Sequence, residues 1–219
     1  DLSAEVQHEV VPGMSVTAGW YRNWQGNFRV IDNLELEPSD FSPYCVTAPP
    51  DSRLPGGGGY PVCGLYDVSP AKFGRARNLV TRASTYGDWK ITNDFFNVSF
   101  NTRLGSDIQL GGGVDTGQNV NDRCFVVDSP QDLLYCRVET PYSAQTQVKL
   151  FGSFRLPGDV QVSGILQNSS GPVQLANYPA PNSASRDSLG RDLAACRGVA
   201  GCVATPTYVS ACSIETSLN

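Results

Sequence analysis

"VKLFGSFRLPGDVQVSGIL", residues 148–166, consists of two runs of alternating side chains that meet at Leu156-Pro157-Gly158-Asp159. Proline fixes one backbone torsion and glycine permits a positive one, which is what a reversing turn requires. The stretch therefore predicts a β-hairpin. Successive side chains of a strand point to opposite faces. Val148, Leu150, Gly152, Phe154 and Leu156 share one face, continued after the turn by Val160, Val162, Gly164 and Leu166. Gln147, Lys149, Phe151, Ser153 and Arg155 share the other, continued by Gln161, Ser163, Ile165 and Gln167.

The same pattern occurs in "AEVQHEVVPGMSVTAGW", residues 4–20, with its turn at Pro12-Gly13, and in "NVSFNTRLGSDIQLGGG", residues 97–113, with its turn at Gly105-Ser106. Between these hairpins lie long, polar, irregular segments: Asn23 to about Trp89, Asp115 to Ser143, and Asn168 onward. Short turns thus gather at one end of the strands and long connections at the other. Charged residues make up only 17%, and 22 glycines and 15 prolines among 219 residues favour turns over helices.

Alternation of this kind has two physical readings. In a soluble sandwich the apolar face packs on a second sheet and the polar face meets water. In an outer-membrane barrel the apolar face meets lipid and the polar face lines a wet lumen. The predicted strands run for about nine to eleven residues, which suits a tilted membrane-spanning strand and exceeds the usual globular length. The asymmetry of turns and loops points the same way. Trp20, Tyr21 and Trp24 fall where an interfacial girdle would sit. The expected fold is all-β, an antiparallel meander of long hairpins forming part of an outer-membrane-type barrel, with a soluble sandwich as the alternative. We expect one barrel-type segment over 1–219, with 190–219 an ill-defined tail or incomplete strand.

The seven cysteines all fall in the long connections, outside the predicted strands. Cys45 is expected to pair with Cys63, and Cys124 with Cys136, because each pair closes a short loop with no competing cysteine inside it; Cys196 and Cys202 are further disulfide candidates. Such staples belong to an oxidising compartment. No C-x-x-C pair occurs, and the single histidine, His8, lies on the apolar side of a strand, so neither a zinc site nor a Ser-His-Asp arrangement is expected. "VDTGQNVNDRC" is rich in oxygen ligands but lacks calcium-loop spacing. The carboxylate pairs Glu35 and Glu37, Asp122 and Asp128, and Asp187 and Asp192 sit in polar loops, where solvated charge is the simpler reading. No metal or other cofactor and no enzymatic activity are expected. Trp24, Tyr44, Tyr60 and Tyr66 are the candidates for stacking against a ligand. A net charge of −5 argues against nucleic acid as a partner.

The segment "SDFSPYCVTAPPDSRLPGGGGYPVCGLYDVSPAKFGRARNLVTRASTYG", with "GWYRNWQGNF" before it and "NDRCFVVDSPQDLLYC" after it, resembles the barrel region of TonB-dependent outer-membrane receptors. The likeness is to the subgroup that carries a carboxypeptidase-regulatory-like domain, and it runs from about Pro12 to about Pro181. Members of that family are several times longer, carry a plug domain and end in an aromatic residue, whereas this sequence ends "SIETSLN". The resemblance implies a piece of a receptor barrel in a bacterial outer membrane. The whole receptor would take up a nutrient such as an oligosaccharide or metal chelate, and this piece would have lipid and the remaining barrel and plug as partners. A secreted sandwich that binds or processes polysaccharide, and an assembly protein that pairs through open strand edges, are the alternatives.

Overall fold

The computed structural model describes residues 1–171, 177–178, 180–196 and 209–210. In chain order its strands are β1 (Leu2–Val11), β2 (Met14–Gln25), β3 (Arg29–Asn33), β4 (Phe41–Thr47), β5 (Pro61–Val68), β6 (Asn78–Arg82), β7 (Lys90–Leu104), β8 (Ile108–Asp122), β9 (Arg137–Thr140), β10 (Gln147–Leu156), β11 (Val160–Ser169), β12 (Asn177–Tyr178) and β13 (Val209–Ser210). Two short helices, α1 (Tyr142–Gln145) and α2 (Asn182–Leu189), join them. No helix among the described residues is long and apolar enough to cross a membrane.

The single segment expected from the sequence resolves into two compact units. The first comprises Asp1–Asn27, Trp89–Arg123 and Arg137–Pro172; the second comprises Phe28–Asp88, Cys124–Cys136 and the described residues of Val173–Asn219.

The first unit is one antiparallel sheet in the order β1-β2-β7-β8-β10-β11, with β9 paired to the far part of β8. Its tight turns are where the sequence places them. At Gly13 the backbone has φ +82°, and an added Cβ would lie 3.0 Å from the Arg103 carbonyl oxygen, so only glycine suits this turn. β8 runs on to Asp122 rather than stopping near Asp115, because Asp115–Asp122 pairs with Lys90–Asn97. That polar half carries no apolar alternation and reads as a loop until its partner is known.

Residues paired across strands share a face, so the registers give the two surfaces row by row. On one face Ala18, Val98, Val114 and Val148 form a row, and Val16, Phe100, Gly112, Leu150 and Leu166 form the next. Trp20 and Phe96 lie at one border of this apolar field. Immediately beyond them the same face becomes charged: Arg22 pairs with Asp94 at 3.7 Å, Gln118 donates to Glu139, and Arg137 pairs with Asp122 at 2.7 Å. Trp24 shares this face with Trp20, whereas Tyr21 is on the other side and donates its hydroxyl to Glu5 at 2.6 Å. The proposed aromatic trio is therefore split between faces, as alternation requires.

The second unit is built on two antiparallel strand pairs, β3 with β6 and β4 with β5, plus the short pair β12–β13. Tyr44, Val46, Leu65, Ala180, Leu193 and Cys196 form its core. Among the described residues every buried hydrophobic side chain belongs to this unit, and the long sheet contributes none. α2 is fastened to β4 by Ser188, whose hydroxyl accepts from the Cys45 amide at 2.9 Å and donates to the Cys45 carbonyl at 2.8 Å. Arg191 binds the Asp67 carboxylate and donates to the Val68 carbonyl at 3.2 Å. Residues 190–196, expected to open an ill-defined tail, are instead packed through Leu193, Ala194 and Cys196. The rest of that expected tail, apart from β13, lies outside the described residues.

Cys45 is bonded to Cys63 and Cys124 to Cys136. The first pair lies within β4 and β5, not in irregular loop as the sequence suggests, and so links a strand pair that also shares backbone hydrogen bonds. Cys196 is disulfide-bonded as well; Cys202 falls outside the described residues.

Candidate functional site: the two faces of the long sheet

The sheet presents two chemically opposite surfaces. On the apolar face Val98, within β7 and paired on both sides, is 53% exposed, and Leu166, on the edge strand β11, is 62% exposed. Monomeric soluble proteins rarely leave contiguous apolar patches of such extent. Within this unit no second layer covers the face.

The polar face is organised by side-chain hydrogen bonds. Asn97 donates to Asp115 at 2.5 Å, Asn93 donates to Asn23 at 3.2 Å, and Asn119 donates to Asn93. Asn23, Asn93 and Asn119 occupy one register row, so their amides form a ladder across β2, β7 and β8. Three aromatic rings lie down over glycines on this face. A Cβ at Gly117 would come within 2.1 Å of the Phe95 ring, one at Gly111 within 2.4 Å of Phe151, and one at Gly19 within 2.6 Å of the Tyr21 hydroxyl. These three glycines thus serve to seat aromatic side chains. Phe151 and Ile165 are cross-strand partners and, like Ile91 and Phe95, apolar residues on this side, Ile165 being 83% exposed.

The stacking candidates are divided between the two units. Trp24 belongs to the sheet unit and is 57% exposed, whereas Tyr44, Tyr60 and Tyr66 belong to the other unit. Tyr44 is only 5% exposed, so its ring is taken up by the core and offers no surface to a ligand. Tyr60 and Tyr66 are half-buried, and their backbones hold the hairpin: the Tyr60 carbonyl accepts from Ala48 at 2.9 Å, and the Tyr66 amide donates to Gln131 at 2.9 Å.

His8 stands opposite Val16 in the apolar rows. The loop carboxylate pairs are dispersed into separate interactions: Glu35 pairs with Arg77 at 3.2 Å, Asp122 with Arg137, and Asp192 with Arg186. Hydrogen bonding from Arg186 holds the Asp192 carboxyl below the usual range. Among the described residues no group of three or more His, Cys, Asp or Glu could hold a metal ion. The aspartates and asparagines of "VDTGQNVND" are spread along β8 rather than wrapped around a centre.

One polar cluster is invisible to sequence reading because its members are far apart in the chain. In the second unit the Tyr86 hydroxyl donates to Asp32 at 2.5 Å, and the Asn33 amide donates to Asp128 at 3.0 Å. The bond to Asp32, reinforced by burial and by nearby negative charge, pushes the Tyr86 hydroxyl up to about 12. Burial, with repulsion from Asp32 and Asp132, raises Asp128 above the ordinary carboxyl range, against the opposing effect of the Asn33 bond.

No family model matches the chain, and no curated protein or solved structure does either.

Proposed function

We propose that this chain forms part of a membrane-spanning β-barrel of the outer-membrane type, and that its polar face lines the route of a solute. The observation that carries this reading is the apolar field on the long sheet. It is continuous across β1, β2, β7, β8, β10 and β11, ends abruptly in charge at the Arg22–Asp94 row, and has no covering layer within its unit. A sandwich core would instead bury such a face against a second sheet, as interior packing demands. The edges of β1 and β11 have no partner within the sheet, which suits continuation into further strands, since open edges of this length are otherwise a hazard.

Trp20, Trp24 and Phe96 beside the charged border, with the Tyr142 ring 6.1 Å from that of Phe96, make the aromatic belt of a membrane interface. The disulfide-braced second unit is drawn largely from the long connections between the sheet's strands. In this reading the protein is a non-enzymatic component of uptake, of the kind that the TonB-dependent receptor resemblance implies, working on a small molecule or oligosaccharide.

The test is the state of the purified chain with and without detergent. The reading expects a monodisperse species only in detergent or bilayer. A monodisperse species in plain buffer, with no apolar surface for a hydrophobic dye to bind, would sink it.

A further inference from the structure

One face of the β3–β6 strand pair holds two cations against each other with no counter-charge. Arg29 stands directly opposite Arg82, Ile31 opposite Val80, and Asn33 opposite Asn78. The Ala83 amide donates to the Phe28 carbonyl at 2.9 Å, and the Leu34 amide donates to the Arg77 carbonyl at 3.1 Å. Bonds so placed, flanking Arg29–Arg82 and Asn33–Asn78, make these the non-hydrogen-bonded positions of the ladder, where opposed side chains stand closest. Like charges at such positions repel. Among the described residues neither Arg29 nor Arg82 is in an ion pair, in contrast to Arg77, which pairs with Glu35 at 3.2 Å. Both are exposed, whereas Val30, Asp32 and Thr81 on the other face are half-buried. In a chain of net charge −5, this pair of cations is a local feature and not a product of general basicity.

One row along, Ile31 is 60% exposed and Val80 is 61% exposed. Rows on one face are two residues apart, about 7 Å. Beyond that row the strip closes, because the Asn33 side chain is used within the chain: it accepts from the Arg77 amide at 2.9 Å and donates to the Arg75 carbonyl at 2.9 Å. Two cations beside a single apolar row match a ligand with two negative charges and one compact apolar group. A carboxylate brings one charge and two oxygens, enough for one guanidinium fork. A phosphate monoester brings three terminal oxygens and about −1.5 to −2 charge at neutral pH, so it can engage both forks. A lipid acyl chain would overrun the one apolar row.

We propose that Arg29, Arg82, Ile31 and Val80 form a binding site for a small phosphate monoester. The phosphate sits between the two guanidinium groups, and a ring or short branched group rests on Ile31 and Val80. Binding relieves the repulsion that the free protein carries. The site lies within the second unit and does not depend on the membrane reading.

Phenyl phosphate is the probe, titrated into the full chain in whichever of buffer or detergent keeps it monodisperse, at a pH above the second phosphate ionisation of about 6. Nuclear magnetic resonance of arginine Nε–H groups and of isoleucine and valine methyls reads occupancy residue by residue. The signals of Arg29, Arg82, Ile31 and Val80 should shift together and saturate. Inorganic phosphate should move the two arginines alone, and benzoate, with one charge, should bind at least about tenfold more weakly than phenyl phosphate. Arg29→Gln and Arg82→Gln should each weaken phenyl phosphate binding by about tenfold or more. Amide-exchange protection of the strand pair should stay at or above the wild-type level in both, because each substitution removes a like-charge contact. Ile31→Ser should erase the preference for phenyl phosphate over inorganic phosphate. No saturable shift at Arg29 and Arg82, an equal shift at the exposed Arg155 of β10, or equal binding of phenyl phosphate and inorganic phosphate would each overturn the site. A response to phosphatidylglycerol nanodiscs without one to phenyl phosphate would assign the strip to lipid and overturn it as well.

Discussion

Placing an arginine on the apolar face should cost free energy according to its height on the strand. The field on β7 runs from Phe96 to Leu104, eight residue steps. That is about 27 Å of strand at ~3.4 Å per residue, and about 20 Å of height at a tilt near 40°. Leu150 shares the Phe100 row, midway between those limits, whereas Val160 opens β11 beside the turn. Leu150→Arg should therefore destabilise by about 2–4 kcal/mol and Val160→Arg by about 0–1 kcal/mol. Ser153→Arg, on the polar face three positions along β10 from Leu150, should remain within about 0.5 kcal/mol of wild type. The first change would shift the folding equilibrium by roughly 30-fold to 700-fold, since about 1.4 kcal/mol corresponds to tenfold. Reversible urea unfolding in lipid bilayers would measure all three. Equal costs at positions 150 and 160, or a cost at 150 below about 1 kcal/mol, would refute the reasoning, because a lipid environment imposes a gradient with depth.

Gly117→Ala puts a Cβ within 2.1 Å of the Phe95 ring and should cost about 1–3 kcal/mol, largely recovered in combination with Phe95→Ala; additive costs in the double-variant cycle would show that the ring moves aside freely. Replacing Cys45 and Cys63 together by serine opens a loop of separation 18 and should lower the stability of the second unit by about 3 kcal/mol, read as faster proteolysis between them under non-reducing conditions. Tyr86, with its hydroxyl pushed up to about 12 in the folded state, binds its proton more tightly there than in the unfolded chain. Its contribution is present below the ordinary tyrosine range near 10 and is lost as the pH rises toward 12. Tyr86→Phe should therefore flatten that part of the alkaline unfolding profile, and an unchanged profile would remove Tyr86 from the account.

The long hairpins are legible in the sequence because their information is local. Pro12-Gly13, Gly105-Ser106 and Pro157-Gly158 mark reversals, and alternation on either side assigns each residue a face that the registers reproduce. What is not legible depends on partners distant in the chain. The polar half of β8 is a strand only because Lys90–Asn97 pairs with it, and β3 and β6 are brought together across a connection whose sequence has no periodicity. Tyr44 shows the same limit at one residue: an isolated tyrosine among prolines and a cysteine carries no sign of whether it faces water or, as here, packs in the core with Leu65 and Leu193. The hydrogen bonds of Tyr86 to Asp32 and of the Asn33 amide to Asp128 are invisible for the same reason. The local cysteine pairing was readable, by contrast, because each loop encloses no competing cysteine; that Cys45 and Cys63 sit in strands was not.

Whether lipid covers the apolar face is decided by nitroxide labels at positions 150 and 153, in detergent or bilayer, collided with oxygen and with a water-soluble nickel reagent. The two residues lie on opposite faces of β10. A lipid-facing surface predicts that oxygen reaches the label at 150 while nickel does not, and that nickel reaches the label at 153. A label at 150 shielded from both reagents would mean that protein, and not lipid, covers that face.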